Sequence, residues 1–206
     1  MVEYTEMLVG LNEKNLAELK QQQSDITKLF PKFPPRVKAL RQRGGIRLVD
    51  KTKGLWTFEV VSGTIDNKKW TTKLHFRNVP QLIRKYGQDG GIYKNDRKTI
   101  NRTALSDKIY NELDLELECD DPSFLYWGFR YIATKNKYVY GGKENRRPDI
   151  RNPKQYGAFC KHIQLIMEQI PFYLSTFSAT LNRFYDKEIK EQEKLYNSEE
   201  KKEVDK

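Results

Sequence analysis

Cysteine and histidine are scarce: the 206 residues contain two of each. Two cysteines cannot build the disulfide framework of a small secreted domain, so the chain is expected to fold in a reducing compartment. Long apolar runs are missing as well. No stretch approaches the roughly 18 apolar residues of a membrane span, and no membrane partner is expected. The opening MVEYTEMLVG has no basic region leading into an apolar one, so no signal peptide is read. Catalytic signatures are also missing. Neither GQDGG nor YGGKEN supplies the G-x-x-x-x-G-K-[ST] of a phosphate loop, and there is no H-E-x-x-H. Only His75 and His162 could act as base to a Ser or Cys nucleophile, and His75 alternates with Lys and Arg on an expected strand. The acid pairs Asp120/Asp121 and Asp186/Glu188 lack a nuclease-like context. No enzyme is expected.

What is present is aromatic and basic. There are twelve Tyr, ten Phe and three Trp in a chain that is only 37% hydrophobic. Such rings suit contact surfaces as well as cores. Net charge is +10 and uneven. Lys28 to Leu48 carries seven Lys/Arg and no acid, and Gly128 to Lys154 carries eight against Glu144 and Asp149. From Asp186 onward there are eight acids and six Lys. A basic body with an acidic tail implies a polyanionic partner, an acidic protein partner, or a solubilising surface.

The length allows one domain with extensions. No internal repeat is visible. LNEKNLAELKQQQSDITKLF (11–30) has helical apolar spacing and stops at the prolines 31, 34 and 35. RVKALRQR (36–43) is basic and helix-compatible. Strands are expected at 46–50, 55–63 and 70–78, the last two as an antiparallel hairpin with Trp70, Thr72, Leu74 and Phe76 on one face. PQLIRKYG (80–87) reads as a short helix closed by glycine, 104–114 as a loop or helical turn, and LDLELECDD (113–121) as a strand. After a polar loop at 141–157, AFCKHIQLIMEQIPF (158–172) is an amphipathic helix ending near Pro171. LSTFSATLNRFY (174–185) suits another helix, and the remainder a solvated one that frays. The fold class is therefore α+β: a small antiparallel sheet packed with helices. A helical extension (1–45) precedes the core (46–172), and a charged helical one (173–206) follows.

Both cysteines and one histidine fall within LECDDPSF (117–124) and FCKHI (159–163). Cys119 and Asp121, two apart on a strand, point the same way. Cys160 and His162 open a helix, where the N–H groups favour a thiolate. Together they offer S, O, S and N donors, a set that zinc accepts in a structural site with no position left for a catalytic water. The plainer reading is two small buried thiols and a histidine in the first turn of a helix.

A Cys-x-Cys, a long spacer and a Cys-x-His resembles the SWIM-type zinc finger, a β-hairpin followed by a helix. Here Asp121 stands where that family has its second cysteine, so the resemblance implies either a zinc-bearing core or a metal-free version of the same fold. A longer match is C-D-D-P-S-F-x-Y-W-G-F-R-Y, then E-N-R-x-P-x-I-R-N-P-x-x-x-G-x-x-C-K-H. Over about residues 46–172 this resembles virion structural proteins of large tailed bacteriophages that carry a SWIM-like core. The resemblance implies a neck, head–tail connector or tail-completion component. It would form a homo-oligomeric ring against portal, neck or tail proteins, in the virion and, during assembly, in the host cytoplasm. The alternative is a SWIM-like nucleic-acid-binding protein acting as a phage regulator. Arg36, Lys38, Arg41, Arg43, Arg146 and Arg147 are the residues expected to meet DNA or an acidic partner. In ENRRPDIRNPK (144–154), Arg151 and Asn152 are expected to tie the loop down, with at least one of Arg146 and Arg147 exposed. The rings of YWGFRY (126–131) are expected in the core rather than stacked on bases.

Overall fold

The computed structural model describes residues 38–40, 45–63, 65–95, 98–110, 112–155 and 157–204. The architecture is mixed α+β. Four strands, β1 (Ile46–Thr52), β2 (Leu55–Val61), β3 (Lys69–Phe76) and β4 (Leu115–Cys119), form one antiparallel sheet in the order β1-β2-β3-β4. The expected hairpin is β2 with β3, in a register that puts Trp56 opposite Leu74 and Phe58 opposite Thr72.

Alternation makes the sheet two-faced. Trp56, Phe58, Val60, Thr72, Leu74, Phe76, Leu115, Leu117 and Cys119 are buried on one side. The other side carries a ladder of opposite charges: Arg47 and Lys69 both bond Glu59 at 3.0 Å, and Lys73 bonds Glu118 at 3.0 Å. His75, about a third exposed, shares this side with Nδ1 2.8 Å from Glu116. Pairs this exposed to solvent contribute little to stability. Their main effect is to keep this face wet and fix which face is buried.

Helices cover the apolar face. They are α1 (Val79–Gly87), α2 (Arg102–Tyr110), α3 (Pro122–Tyr126), α4 (Phe129–Lys135), α5 (Lys161–Gln169), α6 (Leu174–Phe184) and α7 (Asp186–Val204), with 3-10 turns at Gly90–Ile92 and Ile170–Tyr173. Phe177 of α6 lies 5.7 Å from the Phe76 ring and 6.3 Å from Trp56, and Tyr173 meets Phe58 edge-on at 5.6 Å. Burying each such side chain contributes about 1.5–3 kcal/mol. Tyr110 of α2 donates its hydroxyl to the Ile170 carbonyl, which ties α2 to the 3-10 turn. The free edge of β4 is closed by residues 138–140: Leu117 donates to the Tyr138 carbonyl at 2.8 Å, and Tyr140 to the Leu117 carbonyl at 2.9 Å.

Three expectations need correction. Residues 102–110 are a regular helix rather than a loop or turn. The strand at 113–121 is shorter, ending at Cys119, because Asp121-Pro122 starts a helix: Asp121 accepts from the Ser123 amide at 2.9 Å and proline occupies the first turn. The segment after 185 is not a helix solvated on all sides. Ile189 is fully buried and Gln192 nearly so, and Tyr196 stacks on Tyr93 at 4.1 Å. Glu193 accepts from the Ile100 amide at 3.0 Å, and Arg102 bonds Asp186 at 3.0 Å. Gly87 makes this approach possible, since a Cβ there would sit 2.7 Å from Gln192 Cβ. The low mean hydropathy of α7 hides a narrow apolar stripe within a charged helix.

Candidate metal centre

Cys119 closes β4, where Thr72 of β3 lies opposite and donates its hydroxyl to the sulfur at 3.5 Å. Cys160 caps the N-terminus of α5 in an extended conformation, and His162 follows in the first turn. The chain from Ala158 to Cys160 is buried, so the helix enters the core with its first turn already inside. The ligand atoms of Cys119, Cys160 and His162 all lie within 4.8 Å of one another. His162 is fully buried, and both cysteines are only 1% exposed. This group joins the last strand of the sheet to the first turn of α5.

The sulfur of Cys119 is 3.8 Å from Nδ1 of His162. A tetrahedral zinc with Zn–S near 2.3 Å and Zn–N near 2.0 Å has donor–donor edges of roughly 3.5 Å. The donors, up to 4.8 Å apart, therefore need to close by about 1.3 Å at most, and the S, S, N set is one zinc takes. Nε2 of His162 is buried with no hydrogen-bond partner. The nitrogen that faces Cys119 is Nδ1, which Asp121 also contacts, so a metal held there would take the place of that contact or take Asp121 as a further ligand. Cys119, Cys160 and His162 could hold a metal ion.

Asp121 stands outside the three-residue group, beside the ring. Its Oδ2 lies 3.0 Å from His162 Nδ1, accepts from Lys161 Nζ at 2.9 Å and from the Ser123 hydroxyl at 2.8 Å, while Oδ1 takes the Ser123 amide. Both oxygens are engaged, and the one nearest the ring contacts the same nitrogen that faces Cys119.

The electrostatics are divided: they favour the ligating form at Cys160 and hold Cys119 and His162 towards their protonated forms, whose protons a metal would have to displace. Burial pushes the Asp121 carboxyl up, but the bonds from His162, Ser123 and Lys161 outweigh it and hold the acid well below its ordinary range. Burial lowers His162, yet the bonds to Asp121 and Cys119 leave it raised. Cys119 is pushed well up by its hydrogen bond with Cys160 and by burial. For Cys160 burial acts upward, but the bond with Cys119 and the Ile163 amide leave the thiol below its ordinary value. One sulfur of the pair is poised towards the thiolate, the form that binds metal.

The basic residues expected to meet a partner are dispersed. Arg36, Arg41 and Arg43 lie outside the described residues. Lys38 is exposed on a helical turn whose Leu40 is buried in the core. Arg146 and Arg147 are both exposed, at 82% and 58% of their side chains. Arg146 folds back on Glu144 with bonds of 3.0 and 2.7 Å, and Arg147 faces Asp149 at 3.6 Å. Asn152 does tie the loop down: buried, it donates its side-chain amide to the Trp127 carbonyl at 3.1 Å. Arg151 is exposed. Within YWGFRY, Phe129 is core, Trp127 and Tyr131 are half-buried, and Tyr126 is 66% exposed. Sequence reasoning missed Lys161, Ser123 and Thr72 as partners of the centre. The Asp-Pro-Ser string, which reads as cap, first turn and capping partner, was the available signal for Ser123.

Among the described residues no helix is long and apolar enough to cross a membrane. Compared with family models, with curated proteins and with solved structures, the chain gives no match.

Proposed function

We propose that this chain is a non-enzymatic virion structural protein of a large tailed bacteriophage, with its SWIM-like core fastened by zinc. The carrying observation is the sealed Cys119–Cys160–His162 group, which joins a strand to the start of a helix as the SWIM resemblance implies. Cys119, Cys160 and His162 are three of the ligands, and Asp121, whose Oδ2 is 3.0 Å from His162 Nδ1, is the fourth. The metal supplies cross-linking of β4 to α5. At 0–1% exposure the three donors present no surface to a substrate, which supports a structural role. The station in the particle comes from the resemblance alone: a ring at the neck, head–tail connector or completed tail, against portal, neck or tail proteins.

Two measurements test this. Elemental analysis of purified protein is expected to give one zinc per chain, and its absence after zinc supplementation overturns the metal. Quantitative mass spectrometry of purified particles is expected to find the protein at a copy number matching a closed ring. Absence from particles overturns the virion role. That result would favour the second reading, a SWIM-like nucleic-acid-binding regulator, which rests on the net charge of +10 and on exposed Lys38, Arg146 and Arg147. Binding to duplex DNA that falls steeply with salt would support it.

A further inference from the structure

Two exposed aliphatic side chains sit on surfaces of opposite charge. The first is Ile150, 94% exposed near the apex of the loop that follows α4. This loop is built rather than slack. Asn152 donates its amide to the Pro148 carbonyl at 3.0 Å and is anchored on Trp127, and the Glu144 amide donates to the Thr134 hydroxyl at 3.0 Å. Pro148 lies directly against Gly128, whose φ is +74°. A preformed loop loses little entropy on docking. Arg147 and Arg151 stand on either side of Ile150 in sequence and are exposed. A duplex backbone rewards unbroken positive charge. Asp149, 72% exposed beside Ile150 and 3.6 Å from Arg147, breaks that charge, which suits a protein surface better.

The second is Leu195, 53% exposed on α7. At about 100° per residue, Glu191 and Glu199 fall four residues either side of it on the same face. Both are exposed, and Lys187 and Lys194 lie further round the helix. The face towards the core is occupied by Ile189 and Gln192, so the Glu191–Leu195–Glu199 stripe looks outward.

We propose that the loop of one copy docks on α7 of a second copy, with Ile150 against Leu195 and Arg147 and Arg151 facing Glu191 and Glu199. The two patches are different surfaces, so the contact is head-to-tail and leaves each dimer with one free patch of each kind. Repetition closes a ring or extends a filament. This contact rests on the assembly reading above, but it is tested separately.

The test is sedimentation velocity of the full chain and of Ile150→Asp and Leu195→Lys. Wild type is expected to self-associate beyond a dimer. Each variant alone is expected to lose at least about tenfold in affinity, with unchanged melting because both side chains are exposed. Mixed together, they are expected to form a heterodimer and nothing larger, since the loop of Leu195→Lys can still dock on the helix of Ile150→Asp. A monomeric wild type at all concentrations overturns the contact, as does a mixture that stays monomeric. Assembly that neither substitution weakens also overturns it, while leaving the virion role to the particle measurement. A Glu191→Lys/Glu199→Lys variant should likewise fail to associate, and Arg147→Glu/Arg151→Glu in the same chain should restore association. Restoration by no such pair overturns the charge assignment.

Discussion

Replacing Gly128 by alanine tests the loop's anchorage with a magnitude that the structure fixes. Gly128 stands at the start of α4 with φ +74°, in the left-handed region. An alanine there costs about 1–2 kcal/mol of backbone strain. Its Cβ would also lie 2.3 Å from Pro148 Cγ and 2.5 Å from Pro148 Cβ. Both distances are more than 1 Å inside ordinary contact, so the loop must move, at about 1–3 kcal/mol for overpacking. The stiffer unfolded chain returns about 0.4–1 kcal/mol. The net expectation is a loss of roughly 2–4 kcal/mol. For a chain of 206 residues this lowers Tm by about 5–15 °C. Urea unfolding of the full chain measures it. Pro148→Gly in the Gly128→Ala background should recover the steric part and leave the backbone part, so the double-mutant cycle shows coupling of at least about 1 kcal/mol. A Gly128→Ala variant within about 0.5 kcal/mol of wild type, or a cycle without coupling, would refute both the left-handed turn and the close contact.

Metal should act as a stabilising ligand. At free zinc a hundredfold above its Kd the folded state gains about 2.7 kcal/mol, so removing zinc with a chelator is expected to lower Tm by about 5–10 °C, read by scanning fluorimetry. Cys160→Ser should abolish that dependence, and a zinc-dependent Tm that survives the substitution places the metal elsewhere. Acid should weaken the loop through Glu144, whose carboxyl the Arg146 side chain and amide hold at about 2. A carboxyl depressed on folding stabilises above its ordinary value and loses that contribution as pH falls towards the folded one. Tm is therefore expected to drop between pH 4.5 and about 2, less steeply in Glu144→Gln, and identical slopes would count against it. Ile189→Ala removes a fully buried side chain from α7 and should cost about 2–4 kcal/mol in urea unfolding, whereas a helix free in solution would lose almost nothing.

Local pattern exposed much of this fold. The β2–β3 hairpin was readable because period-two alternation of Trp56, Phe58 and Val60 matches that of Thr72, Leu74 and Phe76 across the turn. Helix α5 was readable from Phe159, Ile163, Ile166 and Met167, and its first turn located Cys160 and His162. The cysteine–histidine grouping followed from scarcity, since few such residues exist to be gathered. Asp121 was harder. Alternation extends the strand through it, and only the proline after it signals that a cap competes for its carboxylate. The docking of α7 was hidden because Ile189, Gln192 and Tyr196 are a thin stripe among lysines and glutamates, and their partners Gly87 and Tyr93 lie far back in the sequence. For α2 the low amphipathicity of RTALSDKIY gave no period, although Leu105 and Ile109 are buried.

That same docking sets an order of events during synthesis. Glu193 and Ile100 are separated by 93 residues, and Lys53 meets Glu188 across 135. Contacts of such range are slow to form, because the loops they close must first be ordered. At ribosomal speeds of about 5–20 residues per second, the strands and α1 wait several seconds before α7 emerges. Until then the strip of α1 around Gly87 and the face of Tyr93 stay bare. A nascent chain that ends before residue 186 lacks the cover for that strip, so the strip is the last part of this surface to be closed.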